Sequence, residues 1–542
     1  MDENPGASES DAGRSDPPDP EPDSGPSPRG RASHLGCIRI FLATALIVAT
    51  SSRSLPAGGL EQVRASGTLR YGSDMEGGGP YAYPDPKAPR EVTGFEVELM
   101  ALLGKELGVT PAFSQGQWDK LLQVLDAGQL DAVVNGYEWN EVRAAQYAAT
   151  RPYYIYQLQL MAPRGSALHA WEDLKRPRPD GRPWTVGVLV GSAGDTFAAE
   201  QGGPHVRVVR FDGATDAMTA VQNGQYDATL QDLPAALFYR DRFSGLALAG
   251  PPVGRGYYVI YTRAEDRSLR DALDRGLAKL VADGGLRRIY EKYGIWTGIQ
   301  DELAAFDGPI EVVSSQPGRR GWALLRQYAP LLGDAALVTI GLSLGSFPLA
   351  MALGLLIAVG RLYGPAPLRT ALAGYVELIR GTPLMLQLYV LFYVIKLPPW
   401  VAGIAGLAMN YAAYEAEIYR AGLQAIPPGQ MEAALALGMS RWLALRRVII
   451  PQAVRIVVPP VTNDFIALFK DTSVCSVITL VELTKQYSIL ANSTGGAVEF
   501  ALATAVLYML MSVPLSWFSR WSERRLAGVG PEAGVAKGGA MA

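Results

Sequence analysis

Along residues 67–297 short apolar runs alternate with stretches whose apolar residues recur at helical spacing. Thr68–Tyr71, Asp131–Val134, Trp184–Leu189 and Val206–Phe211 have the length and composition of strands. Phe95–Leu107, Trp118–Ala127 and Asp266–Tyr290 place apolar residues every third or fourth position, as a helix with one covered face does. Such alternation predicts parallel-type sheets with covering helices. A polar connector, 301–320, comes next, punctuated by Asp-Gly, Ser-Ser and Pro-Gly. Beyond it the pattern changes abruptly. Apolar spans occupy 334–360, 371–396, 400–424, 453–470 and 497–519, each long enough for the hydrocarbon layer, although Pro459-Pro460 interrupts the fourth. Five transmembrane helices are expected.

The first residues differ from both patterns. Residues 1–28 are rich in Pro, Ser, Gly and acidic side chains, and are read as disordered because they cannot bury enough apolar surface to offset ordering entropy. Arg29 and Arg31 then precede an apolar run, Ile38–Thr50, of about 13 residues, too short for an ordinary span and shaped like a secretory signal or an uncleaved anchor. Either places the α/β region outside the cytoplasm. The first span would then run inward, and basic residues support that orientation. Arg361 and Arg369, then Arg441, Arg446, Arg447 and Arg455, then Arg520, Arg524 and Arg525 all fall in segments this topology makes cytoplasmic.

Composition narrows the function classes. The net charge of −3 gives no field that would hold nucleic acid. Two cysteines, Cys37 and Cys475, and three histidines offer no disulfide framework, no zinc site and little material for histidine catalysis. No Gly-x-x-x-x-Gly-Lys-Ser/Thr loop occurs, so ATP hydrolysis by that route would need another chain.

Two groups of motifs carry chemistry. In the segment between the third and fourth spans stand Gln430, Glu432-Ala433-Ala434, Leu437-Gly438-Met439-Ser440 and Ile450-Pro451-Gln452. Pro427-Pro428 ends the third span, a short helix starts near Glu432, and Gly438 allows a sharp turn into a second helix. On pattern alone this equally describes an amphipathic interfacial helix with an arginine face. Together with Arg380-Gly381-Thr382-Pro383-Leu384 and Tyr414 to Gly422 upstream and Lys470-Asp471-Thr472-Ser473 downstream, it resembles the "EAA" loop of bacterial ABC import permeases of the polar amino acid branch, over roughly 325–525. The resemblance implies that Glu432, Ala433, Ala434 and Gly438 couple to a separate ATPase subunit. It also implies that the permease works as a homodimer, and that ATP and Mg are used by the partner, with no cofactor in this chain.

The second group lies in the α/β region. Gly94 to Leu99, Asp131 to Val134, Arg151-Pro152-Tyr153-Tyr154, Gly191-Ser192, Tyr226 to Asp232 and Ile289 to Gly294 resemble the periplasmic amino-acid-binding proteins, in which two lobes close on a ligand. The resemblance implies that Arg143 clamps the α-carboxylate of an amino acid, with two parallel bonds from a planar guanidinium. It assigns the α-ammonium to Asp232, backbone N–H groups at a helix start to Ser192, ligand packing to Trp118 and Tyr81, and a place in the site to Gly136. Other duties fit the same residues: a solvated charge for Arg143, helix caps for Asp232 and Ser192, a core ring for Trp118. Glu138 departs from the family pattern, which has Ser or Thr there. Three readings stay open: it adds to the ammonium site, favours a cationic side chain, or points to solvent. Asn140 and Ala193 depart as well.

The whole chain therefore reads as a two-lobed α/β clamp followed by an all-α membrane domain. The boundaries are 1–35 for the leader, 36–52 for the signal or anchor, 60–298 for a solute-binding domain, 299–325 for a linker, 326–525 for a permease domain and 526–542 for a tail. The expected role is the receptor and permease subunit of an ATP-driven amino acid importer in a bacterial inner membrane, not an enzyme. A ligand-gated channel of the glutamate-receptor type would interrupt its clamp with membrane segments, whereas here they come after it. A membrane sensor would need a signalling domain. Glu417, within the third span, is a candidate for touching substrate in transit or for helix packing.

Overall fold

A computed structural model of the chain describes residues 59–76, 78–310 and 321–527. The expected leader, the signal or anchor with Cys37, residues 311–320 of the connector and the tail from 528 onward lie outside the described residues.

The strand Thr68–Ser73 buries Leu69 and Tyr71, and pairs in parallel with Thr110–Gln115 on one side and Ala132–Val133 on the other. Tyr261–Arg263 and Tyr147–Ala149 complete this five-stranded sheet, both joined by antiparallel pairing. Phe95–Leu107 covers it. Its buried Phe95, Leu99, Leu103 and Leu107 recur every four residues, and Gly108 in the left-handed region ends the helix. The second sheet runs Leu246–Leu248, Tyr154–Pro163, Ala228–Asp232, Trp184–Leu189, Val206–Phe211, with Val253–Tyr258 also paired to Tyr154–Pro163. The expected parallel sheets are thus mixed. The antiparallel members are the segments that cross between lobes, because a chain that leaves one lobe and returns must run both ways through the hinge.

The hinge is two strands side by side. Tyr153 N–H donates to the Tyr258 carbonyl at 3.0 Å and Thr150 N–H to that of Ile260 at 3.1 Å. The rings of Tyr154 and Tyr258 stack at 5.6 Å, and Tyr290 meets Tyr154 edge-on at 5.1 Å. Asp266–Tyr290, expected as one helix, is two: Arg267–Ala282 and Gly285–Lys292, divided by Gly284 in the left-handed region. Trp118–Ala127 likewise opens with a 3-10 turn, Trp118–Lys120, before the helix Leu121–Asp126. Part of the expected linker packs onto the hinge: Gln300 brackets Ile155, accepting from its N–H at 3.0 Å and donating to its carbonyl at 2.8 Å.

The remainder is helical. Trp322–Tyr363, 42 residues long, lies against Pro399–Gln424. Gly354 allows that approach, since a side chain there would meet Glu415 Cβ at 2.6 Å. Trp322–Tyr363 and Ala497–Trp521 are each long and apolar enough to cross a membrane. The expected second span is broken: Ala366–Arg380 stops at Gly381-Thr382-Pro383, and Leu384–Tyr389 continues as a wider turn, Val390–Val394. The fourth is continuous, Ile450–Asp471, through both prolines. A further helix, Leu483–Thr494, is too polar to have been marked as a span.

Candidate functional site

The cleft between the lobes is lined by residues from both. Tyr81, Trp118, Asn135, Gly136 and Glu138 come from the first lobe and the hinge, and Ser192, Asp212 and Asp232 from the second. Trp118 is fixed at its edges. Its backbone N–H donates to Asp74 Oδ2 and its Nε1–H to the Asn135 carbonyl, each at 2.9 Å, and its ring stacks on Tyr137 at 4.8 Å. Gly136 holds φ +60 at the crossing into the hinge, and a side chain there would meet the Tyr81 ring at 2.9 Å. Glu96, inside the first lobe, accepts the Gly136 N–H at 2.7 Å and the Tyr153 hydroxyl, and so fixes the loop from below. Burial pushes its carboxyl up to about 8, against the pull of those two donors.

Arg143 and Glu138 form a buried ion pair. Arg143 Nη1 lies 2.8 Å from Glu138 Oε2 and donates to the Glu138 carbonyl at 3.2 Å, while Nη2 donates to the Gly191 carbonyl at 3.0 Å. The other Glu138 oxygen accepts the Ala193 N–H at 2.7 Å. That N–H opens the helix Ala193–Gln201, whose cap is Ser192. The Ser192 hydroxyl accepts from Asp195 N–H at 3.2 Å and donates to the Leu189 carbonyl at 2.8 Å. Asp232 ends its strand facing Tyr81 and Tyr258, both of whose hydroxyls donate to its Oδ2, that of Tyr81 at 3.5 Å. Burial, then the Glu138 charge, pushes its carboxyl up to about 7.

The helical half contacts both lobes beside the cleft. Leu483–Thr494 touches both lobes: Lys120 Nζ donates to Ser488 Oγ at 2.6 Å from the first, and Asp212 pairs with the buried Lys485 from the second. Asn223 and Gln225 donate to the carbonyls of Tyr393 and Phe392 at 3.0 and 2.9 Å, and the Tyr226 hydroxyl lies 3.1 Å from that of Thr479. At the far end of the same half, Pro428–Ala436 and the helix begun at Arg441 meet at Gly438, φ +79. Ala434 is buried there, while Glu432, Ala433 and Gly438 are not. Leu437 and Trp442 are 80% and 70% exposed, two apolar side chains presented outward.

Residues 350–528 match the family described as binding-protein-dependent transport system inner membrane component, and residues 69–295 match bacterial extracellular solute-binding proteins, family 3. The L-cystine transport system permease protein TcyB of Bacillus subtilis is 37% identical over 212 residues, which are 38% of this chain and 91% of that protein. The chain belongs to the binding-protein-dependent transport family. The glutamine transport system permease protein GlnP of Escherichia coli is 34% identical over 212 residues, 38% of this chain and 97% of that protein. The ancestral amino acid-binding protein AncCDT-1, a precursor of cyclohexadienyl dehydratase, covers 43% of this chain and 98% of its own at 25% identity, with a TM-score of 0.39. As a binding-protein-dependent transporter, the chain joins a solute-binding region to an inner membrane component, the arrangement of an importer rather than of a channel, a sensor or an enzyme.

All seven residues expected at the site gather in and beside this one cleft. Of the three readings of Glu138, pointing to solvent is excluded: it is 3% exposed. Glu417 is committed to Arg361 and Arg420, a packing role. Sequence reasoning missed Tyr258, Asp74 and Tyr137. Their roles arise only when distant segments meet at the hinge, and the aromatic pair Tyr257-Tyr258 gave no signal of its own. It also missed Lys485, a charge in an otherwise featureless polar helix.

Proposed function

We propose that this chain is the receptor and membrane subunit of an ATP-driven importer for polar amino acids, in a bacterial inner membrane with the clamp outside the cytoplasm. The observation that carries this reading is the helix Leu483–Thr494 in contact with both lobes, in the second through Asp212 of the cleft lining. A solute released from the cleft meets the helical half directly, and a change in lobe spacing is felt by one helix. Two copies of the helical half frame the pathway. A separate ATPase docks at Pro428–Ala436 and Gly438, where Leu437 and Trp442 supply apolar contacts. Nucleotide binding draws these helices together and opens the path outward, and hydrolysis resets it. The tether keeps the clamp at an effective concentration on the order of millimolar, so capture does not depend on diffusion of a free receptor.

The test is uptake of radiolabelled L-glutamine, L-cystine, L-arginine, and agmatine into liposomes. Uptake is expected only with the chain, an ATPase of this transporter class and ATP all present. Equal uptake by the chain alone overturns the proposal.

A further inference from the structure

The cleft contains a carboxylate receptor, and the chain has filled it with its own side chain. The Arg143 guanidinium and the Ala193 N–H converge on the Glu138 carboxylate, one oxygen each, at 2.8 and 2.7 Å. Three of the five Arg143 N–H groups are engaged within the chain, and its charge is met by Glu138. Its other bonds go to the carbonyls of Glu138 and Gly191, and the rings of Trp118 and Tyr137 lie 5.3 and 5.2 Å from its centre. Both partners are almost fully buried, at 3% for Glu138 and 5% for Arg143. Because Glu138 is tethered beside the arginine, it competes at a local concentration no dilute solute reaches. A solute carboxylate that displaced it would strand a buried charge.

What remains in the cleft has the opposite sign. Its lining includes Asp74, Glu76, Asp212 and Asp232, and no Lys, Arg or His among the described residues. Asp212 is met by Lys485, and Asp74 is held by the backbone N–H of Trp118 and Glu76 and the Gln115 amide. Asp232 has two tyrosine hydroxyls, which solvate a carboxylate without neutralising it. An ammonium group supplies the missing charge, and the Tyr81 ring beside it suits a cation.

We propose that the clamp takes a small organic amine with no free α-carboxylate, its ammonium set against Asp232 beside Tyr81, while the Glu138–Arg143 pair stays closed. This rests on the importer reading and moves its cargo from the free amino acid to the amine that lacks the carboxyl group. Glu138 is then the residue that determines specificity, standing where a solute carboxylate would otherwise bind.

The test is equilibrium binding to the full-length chain in lipid nanodiscs, with pairs that differ by the carboxyl group alone: agmatine and L-arginine, cadaverine and L-lysine, histamine and L-histidine. At least one amine is expected to bind about tenfold or more tightly than its parent. Glu138→Ser, which frees Arg143 and the Ala193 N–H, shifts that ratio toward the parent amino acid. Where the serine variant does not fold, Glu138→Gln, which keeps an acceptor for Ala193, shifts it the same way. Tighter binding of the parent in every pair, or an unchanged ratio in a folded variant, overturns this inference and leaves the importer reading standing. Binding of no member of any pair by wild type overturns this inference as well, and the importer reading is then decided by the uptake of L-glutamine and L-cystine.

Discussion

Arg143 carries its charge into a site that water scarcely reaches, and Glu138 is the counter-ion that makes this tolerable. Removing one partner of such a pair costs more than removing both, because the survivor is left buried and uncompensated. Arg143→Ala is therefore expected to lower stability by about 3–5 kcal/mol, read as a fall in the thermal midpoint, with much of it recovered in Arg143→Met/Glu138→Met. Asp232 yields a second prediction at this scale. Its carboxyl is pushed up to about 7 by burial and by Glu138, while the hydroxyls of Tyr258 and Tyr81 draw it back. A cationic solute binds the ionised form. Affinity for an amine such as agmatine should rise from about pH 6 to about pH 8 and then level off, as titrations across that range would show. Asp232→Asn should flatten the profile.

Single elements decide where the helical half bends. Ala366–Arg380 ends at Gly381-Thr382-Pro383 because Pro383 lacks an N–H, and the Gln387 amide donates to the Ile379 carbonyl that Pro383 leaves unserved at 2.9 Å and to that of Thr382 at 3.1 Å. Pro459-Pro460 breaks the same rule without breaking its helix, and the Thr462 hydroxyl donates to the Val458 carbonyl at 2.8 Å within it. Residue type alone did not separate the two cases. The turn at Gly438 is held by a backbone conformation that a β-branched residue resists. Gly438→Val should cost about 1–2 kcal/mol locally and depress ATP-dependent uptake while leaving solute binding by the clamp unchanged, a split that paired uptake and binding assays would resolve. Glu96 governs the helix Phe95–Leu107 and the loop above it. With its carboxyl raised to about 8, the folded state holds a proton that the unfolded chain has already lost, so its contribution to stability falls as pH climbs from about 4.5 to about 8. Glu96→Gln, which keeps the acceptor for Gly136, should show a smaller loss of thermal midpoint over that interval.

The whole molecule depends on contacts between halves that are far apart in sequence. Asp212 and Lys485 join the second lobe to the helix Leu483–Thr494 beside the cleft. Asp212→Lys sets two like charges against each other and should reduce uptake by about tenfold or more, while Asp212→Lys/Lys485→Asp restores part of it. Undiminished uptake in the single variant would show that this contact does not transmit closure. Little of this level was legible beforehand. The two-part organisation could be read from a change in hydrophobic period, and the residues that gather at the cleft from the resemblance to the amino-acid-binding proteins. The partners of those residues could not, because Tyr258 and Lys485 reach the cleft only through the hinge crossing and the packing of Leu483–Thr494.

The sequence alone determined the division into an α/β half and an apolar helical half, and the places of Thr68–Ser73, Trp184–Leu189, Val206–Phe211 and Phe95–Leu107, since side-chain periodicity follows from local geometry. It also determined that a clamp precedes a permease, since the motifs keep their order along the chain. Only the tertiary structure decided that Glu138 occupies the arginine, that the sheets are mixed, and that one apolar span bends where another runs straight. Each of those outcomes depends on which groups come within bonding distance after folding, and a buried charge or an unpaired carbonyl takes whatever partner the surrounding chain brings to it.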